Sequence, residues 1–146
     1  MAGTLHIVAT PIGNLDDITA RAIKILGAAD LILCEDTRVA QKMLARFGIQ
    51  KPRESYHQHS TLRKADYILD LLREGKNLAL VSDAGTPGIC DPGNQLVSVA
   101  VEKFGDEIKI IPVPGASAVA AALSVCGFCA DKFVFLGFPP AKNKRK

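Results

Sequence analysis

The sequence predicts an α/β chain: an open parallel sheet of about five strands with helices on both faces. Three observations predict it. Short apolar runs alternate with longer segments of helical periodicity from residue 4 to residue 113. Two of the runs, Leu31-Ile-Leu-Cys34 and Leu78-Ala-Leu-Val81, are apolar at every position, as central parallel strands covered on both faces must be. The glycines, prolines and chemically active side chains gather directly behind these runs, at the carboxyl ends of the strands.

The first strand is read at residues 4–9 and runs into the turn Ala9-Thr-Pro-Ile-Gly-Asn14. A helix at 17–27 follows. Its residues Ile18, Ala22, Ile25 and Leu26 share a face, Asp16 or Asp17 is placed to cap it and Gly27 to stop it. The second strand, 30–34, ends on Glu35-Asp-Thr-Arg38 and leads to a helix at 38–47. The third, 54–57, ends on Tyr56-His-Gln-His59 before a helix at 61–74. The fourth, 77–82, ends on Ser82-Asp-Ala-Gly-Thr-Pro-Gly88 before a helix at 94–104. The fifth, 108–113, ends on Pro114-Gly-Ala-Ser-Ala118. A small-residue helix at 116–125 and another strand at 132–137 come next, too little chain for a sixth complete unit.

A chain of 146 residues, 48% hydrophobic, can bury about 70% of its unfolded surface as one domain. No apolar run approaches the ~20 residues of a membrane span, and Met1-Ala-Gly-Thr-Leu-His6 lacks a basic region followed by an apolar one, so a soluble, cytoplasmic protein is expected. The four cysteines, Cys34, Cys90, Cys126 and Cys129, are too scattered for a disulfide framework. Cys126-Gly-Phe-Cys129 has the spacing of a zinc or redox pair but no second ligand pair, and no metal site is expected. The net charge of +3 resides in the tail. Lys142, Lys144, Arg145 and Lys146 stand there without an acid, leaving 14 basic and 15 acidic residues in the body. A short basic end is by itself a solvated end, not a nucleic-acid site.

The open-sheet rule places ligands at the carboxyl ends of the strands. Glycine permits close backbone approach and proline fixes a turn, so Asp83-Ala-Gly-Thr-Pro-Gly88 can offer amides and carbonyls to a ligand edge; the same loop also reads as a plain strand-to-helix turn with Asp91 or Asn94 as cap. Neither G-x-G-x-x-G after the first strand nor a P-loop is present, which excludes the standard dinucleotide and nucleoside-triphosphatase signatures. Glu35-Asp-Thr-Arg38 supports two readings. In one, Asp36 or Thr37 caps the next helix and Arg38 pairs with an acid. In the other, a carboxylate acts as general base and Arg38 touches phosphate. His57 and His59 could each supply an imidazole base, but at i and i+2 on an extended segment they face opposite ways and do not share a metal.

The stretches GTLHIVATPIGNLDDITARA, ADLILCEDTRVAQKML, SYHQH, ALVSDAGTPGICDPG, PVPGASAVAAALSVCGF and FVFLGFPPAK together resemble the ribosomal-RNA branch of the tetrapyrrole methylase superfamily over essentially the whole chain. The resemblance implies transfer of a methyl group from S-adenosylmethionine (SAM) to the ribose 2′-oxygen of a cytidine in the decoding centre of 16S ribosomal RNA of the small ribosomal subunit. It implies two α/β domains with SAM in the cleft between them, usually in a homodimer. Residues 1–115 would form the N-terminal domain and 116–146 the start of a truncated second one, so the chain reads as an N-terminal fragment.

Carried over by position, the family's cofactor contacts fall on Ile12, Gly13 and Asn14, on Gly85, Thr86, Pro87 and Ile89, and on Ser117 and Ala118. Asp36 matches the position of a proposed base and Arg38 would lie near RNA phosphates, as would the basic tail. Tetrapyrrole-directed relatives carry Gly-Asp-Pro where this chain has Gly85-Thr86-Pro87, and a glycine-rich first loop where it has Thr10-Pro11-Ile12, departures that favour the RNA branch. Ala116 stands where proline is common in that branch and Cys90 where serine is, both small. The competing readings are a methyltransferase for a tetrapyrrole or another small molecule, a non-catalytic nucleotide- or RNA-binding module, and, for the fragment taken alone, a folded but inactive scaffold that lacks half the cleft.

Overall fold

A computed structural model describes residues 2–57, 60, 62–91 and 93–139. His59 and the basic tail at 142–146 lie outside the described residues. Five strands, β1 (Thr4–Val8), β2 (Leu31–Cys34), β3 (Arg53–Ser55), β4 (Leu78–Val81) and β5 (Lys109–Val113), form one sheet in the order β3-β2-β4-β1-β5. Every pairing is parallel, with Leu5 opposite Leu78 and Ile110, and Ile32 opposite Ala79 and Arg53.

Parallel neighbours require crossovers, which the helices α1 (Ala20–Ala28), α2 (Thr37–Arg46), α3 (Leu62–Arg73) and α4 (Gly93–Phe104) provide. Connections running toward β3 carry α1 and α2; those running back carry α3 and α4. Right-handed crossovers in opposite directions put the two pairs on opposite faces. The buried residues divide accordingly. Leu5, Leu33, Leu78 and Leu80 meet Ile68, Leu69 and Leu72 of α3 and Leu96 and Phe104 of α4. On the other face Val8, Ile32, Ala79 and Val81 meet Ala22 and Leu26 of α1 and Ala40, Met43 and Leu44 of α2. Both β2 and β4 are buried at all four positions, as their unbroken apolar runs require. A fifth helix, α5 (Ala118–Val125), leaves β5 and buries none of its residues.

Two expectations are corrected. The first helix begins at Ala20, with Thr19 Oγ1 accepting from Ala22 N at 3.0 Å, and it continues through Gly27 to Ala28. Asp16 and Asp17 lie instead in a separate 3₁₀ turn, Leu15–Asp17, capped by Asn14 Oδ1, which accepts from Asp16 N. The strand expected at 132–137 is not formed among the described residues. Its apolar, β-branched sequence suits a strand, but a ladder needs a neighbour, and none of the five strands pairs with it. Phe133, Val134, Phe135, Leu136 and Phe138 are exposed in consequence.

Candidate functional site

The order β3-β2-β4-β1-β5 brings three Gly- and Pro-containing loops side by side at the carboxyl ends of β4, β1 and β5. They are tied by backbone bonds. Thr10 N donates to Gly85 O at 2.9 Å and Gly85 N donates to Thr10 O at 3.1 Å, while Ser82 Oγ also donates to Gly85 O. The Thr10 hydroxyl donates to Ser82 O, so Thr10 and Ser82, the buried polar residues among those described, are both satisfied inside this junction. Thr86 Oγ1 donates to Ala116 O at 3.1 Å, joining the β4 loop to the β5 loop. Gly115 packs against Ala9 so closely that a Cβ on it would lie 2.9 Å from the Ala9 Cβ. Downstream, Asp91 Oδ1 accepts from Gly88 N and Gly93 N, so Asp91, not Asn94, closes the loop onto α4.

These loops line a cavity of about 320 Å³. Of the nine cofactor positions implied by the resemblance, Ile12, Gly85, Thr86, Ile89, Ser117 and Ala118 border it together. Gly13, Asn14 and Pro87 do not: the first two are exposed beside it, with the Asn14 side chain spent as a cap, and Pro87 is buried behind it. Ala84, Val119, Phe135 and Phe138 complete the wall and were not anticipated. Phe135 belongs to the run read as a strand and Phe138 directly follows it, and an apolar run of that composition gave no cue to a cavity.

Asp36 and Arg38 lie elsewhere, at the carboxyl end of β2 and outside the cavity wall. Asp36 caps α2 by accepting from Arg38 N at 2.8 Å and holds the Arg38 guanidinium in a two-pronged pair, Nε at 3.1 Å and Nη2 at 2.7 Å. The Arg38 side chain is 86% exposed and that of Asp36 29%. Those bonds from Arg38 hold the Asp36 carboxyl down at about 2, and the same pairing raises Arg38. Asp36 N donates to Asp83 Oδ1 at 3.1 Å, linking this end of the sheet to the β4 loop one residue before the cavity. Glu35 stands beside the pair; loss of solvent and the nearby Asp83 and Asp91 push its carboxyl up, while His57 acts in the opposite sense. Cysteine contributes no ligand set. Cys34 is buried and the other three thiols are exposed, and no group of three metal-binding side chains occurs among the described residues.

Residues 4–143 match the family described as Tetrapyrrole (Corrin/Porphyrin) Methylases. The chain belongs to the tetrapyrrole methylase family. Among curated proteins this methylase chain is 50% identical over 142 residues to a Ribosomal RNA small subunit methyltransferase I of Synechocystis, covering 97% of the chain and 50% of the relative. It is 50% identical over 143 residues to one of the same name from Neisseria meningitidis serogroup A, covering 98% and 48%. The methylase chain thus spans about half the length of the curated relatives it matches. Its fold is that of uroporphyrin-III-C-methyltransferase from Thermus thermophilus, with a TM-score of 0.64 at 22% identity, covering 85% of this chain and 53% of the solved one. At that identity the likeness speaks for the fold. Among the described residues no helix is long and apolar enough to cross a membrane.

Proposed function

We propose that the natural polypeptide carrying this sequence transfers a methyl group from SAM to the ribose 2′-oxygen of a cytidine in 16S ribosomal RNA. One observation carries the cofactor half of this reading: six residues that the resemblance implies as cofactor contacts border a single cavity. The name shared by the relatives, half of whose residues are identical over the matched region, supports the RNA half.

The residues fit a nucleoside cofactor. A volume of about 320 Å³ is within the range of small-molecule sites. Its walls are apolar at Ile12, Ile89, Val119 and Phe135, suited to the faces of an adenine, and Thr86 and Ser117 put polar side chains on the same wall. Gly85, at φ +84°, leaves open a space in which a Cβ would touch Ile12 Cγ2 at 3.4 Å and Ala116 O at 3.8 Å. When bound, SAM supplies an electrophilic methyl group on a sulfonium.

The protein must align the acceptor oxygen with that methyl group and keep water away. Asp36 is assigned as the group that takes the 2′-hydroxyl proton, and Arg38 as the phosphate contact beside it. In the free chain Asp36, held at about 2 by Arg38, is a poor base. A phosphate that draws Arg38 away lets the Asp36 carboxylate recover its ordinary basicity, so substrate binding and base activation are coupled through one ion pair.

The division of the chain at residue 115, with 116–146 opening a second α/β domain, belongs to the same reading and is supported by α5, which buries nothing in the first domain. So do a cytoplasmic location, where ribosomal RNA is found, and a homodimer, for which the exposed apolar run at 133–138 gives a surface. The test is transfer of labelled methyl from SAM to small-subunit ribosomal RNA by the full natural polypeptide, followed by nucleoside analysis. Label in 2′-O-methylcytidine supports the reading; label on a base, or none on RNA, overturns it.

A further inference from the structure

Residues 37–53 hold five basic side chains, Arg38, Lys42, Arg46, Lys51 and Arg53, and no acidic one. The rest of residues 1–141 holds nine basic and 15 acidic residues. The fold concentrates this imbalance. Arg38, Lys42 and Arg46 recur every four residues and so line the exposed face of α2, opposite the buried Ala40, Met43 and Leu44. From Arg38 to Arg46 the stripe is about 12 Å long at 1.5 Å per residue. It starts next to Asp36 and descends away from the carboxyl ends of the strands.

Alongside it lies a groove of about 420 Å³ between α2, which contributes Gln41 and Ala45, and the segment 48–53, which contributes Gln50, Lys51 and Arg53. β3 forms the open edge of the sheet here. Among the described residues no carboxylate forms an ion pair with Lys42, Arg46, Lys51 or Arg53. Of the nine cations elsewhere in residues 1–141, Lys64, Arg73 and Lys103 form ion pairs, with Glu54, Asp70 and Asp66; what sets 37–53 apart is that its five cations are adjacent in the fold with no acid among them. A cationic strip left without counter-ions, beside a groove carrying amide side chains, is complementary to a phosphodiester backbone: the lysines and arginines neutralise phosphates, and Gln41 and Gln50 can hydrogen-bond to sugar or phosphate oxygens.

We infer that the outer face of α2 and the adjoining groove at 48–53 dock the phosphate backbone of the acceptor RNA, leading the strand up to Arg38 and the Asp36 end of the sheet. This rests on the RNA-methylation reading and assigns to it a docking surface distinct from the cofactor cavity.

The test measures binding of fluorescent small-subunit ribosomal RNA to the full chain across a salt series, for the wild type, for Lys42→Ala/Arg46→Ala and for the control Lys24→Ala/Lys109→Ala, whose lysines are exposed on other elements. Each lost phosphate contact lowers the slope of log affinity against log salt by about 1, so the α2 double variant should lose about 2 and the control should keep the wild-type slope. SAM titration on the same samples should be unchanged in both variants. Equal slopes in all three proteins overturn this surface while leaving the methyl-transfer reading intact. No salt-sensitive RNA binding by the wild type overturns the surface, and the SAM titration then decides separately whether the cofactor reading survives. Saturable binding of polyglutamate with no binding of RNA would assign the face to an acidic protein and overturn the RNA assignment.

Discussion

Gly85→Ala tests the cavity and the loop that builds it in one substitution. Gly85 has φ +84°, and its N–H and C=O are both bonded to Thr10, so the surrounding junction fixes the left-handed conformation. An alanine forced there costs about 1–2 kcal/mol, offset by about 0.4–1 kcal/mol from the stiffer unfolded chain, for a net loss of about 1 kcal/mol. In a chain of 146 residues that corresponds to a melting temperature lower by roughly 3–5 °C. The new methyl group also enters the space between Ile12 and Ala116, at 3.4 Å from the first and 3.8 Å from the second. Filling a well-fitted site in this way costs about 1–3 kcal/mol, or roughly 5- to 150-fold in affinity for SAM. Ile68→Val is the control. Ile68 is fully buried between α3 and the sheet, remote from the cavity wall, and the change costs about 0.5–1.5 kcal/mol without touching the site. Calorimetry would read both quantities. An unchanged melting temperature for Gly85→Ala would refute the strained loop, and equal SAM affinities in the wild type, Gly85→Ala and Ile68→Val would refute the cavity as the cofactor site.

Other consequences follow from the ion pair, the thiols and an unsatisfied buried group. The Asp36 carboxyl should titrate near pH 2 by NMR and move up toward the ordinary 3.8 in Arg38→Ala; a resonance already near 3.8 in the wild type would dissolve the coupling between phosphate binding and base activation. The sign for stability is that of a depressed acid, a contribution present above the unfolded value and lost as pH falls through about 2. Burial pushes the Cys34 thiol up to about 11, so iodoacetamide at pH 8 should label Cys90, Cys126 and Cys129 and spare Cys34 until the chain unfolds; modification of Cys34 in the native protein would contradict its placement inside β2. His6 Nδ1 is buried without a hydrogen-bond partner among the described residues, and burial, with Arg21 adding to it, lowers the His6 pKa from 6.5. The unfolded chain then binds the proton more readily, so this group costs stability progressively as pH falls below 6.5 and costs none well above it. A His6→Leu variant should show a shallower loss of stability between pH 6.5 and 5, measured by urea denaturation; identical slopes would mean that His6 is solvated.

The sheet was legible because parallel strands buried on both faces leave unbroken apolar runs, and Leu31–Cys34 and Leu78–Val81 are buried throughout. The location of the loops was legible for the same reason, since strand ends follow from strand positions. The start of α1 was not. Asn14 and Thr19 are both good caps, and which of Asp16, Asp17 or Thr19 begins the helix depends on a 3₁₀ turn that composition does not announce. The run at 132–137 has a strand's composition, yet strand formation depends on a neighbouring edge, which is information outside the run itself. At the β2 end, both local readings of Glu35-Asp-Thr-Arg38 were available from the sequence, and the structure realises the capped, paired one in the free chain. The basic face required the fold as well as the charges: Lys51 and Arg53 join the α2 stripe only because β3 returns alongside that helix.

The central claim is that the cavity between Ile12, Gly85 and Ala118 receives SAM. Calorimetric titration of SAM and S-adenosylhomocysteine into the chain tests it most directly. Saturable binding of both, abolished or strongly weakened by Gly85→Ala and preserved in Ile68→Val, is the predicted result. Absence of binding by a folded wild-type chain, or binding indifferent to Gly85, would contradict it.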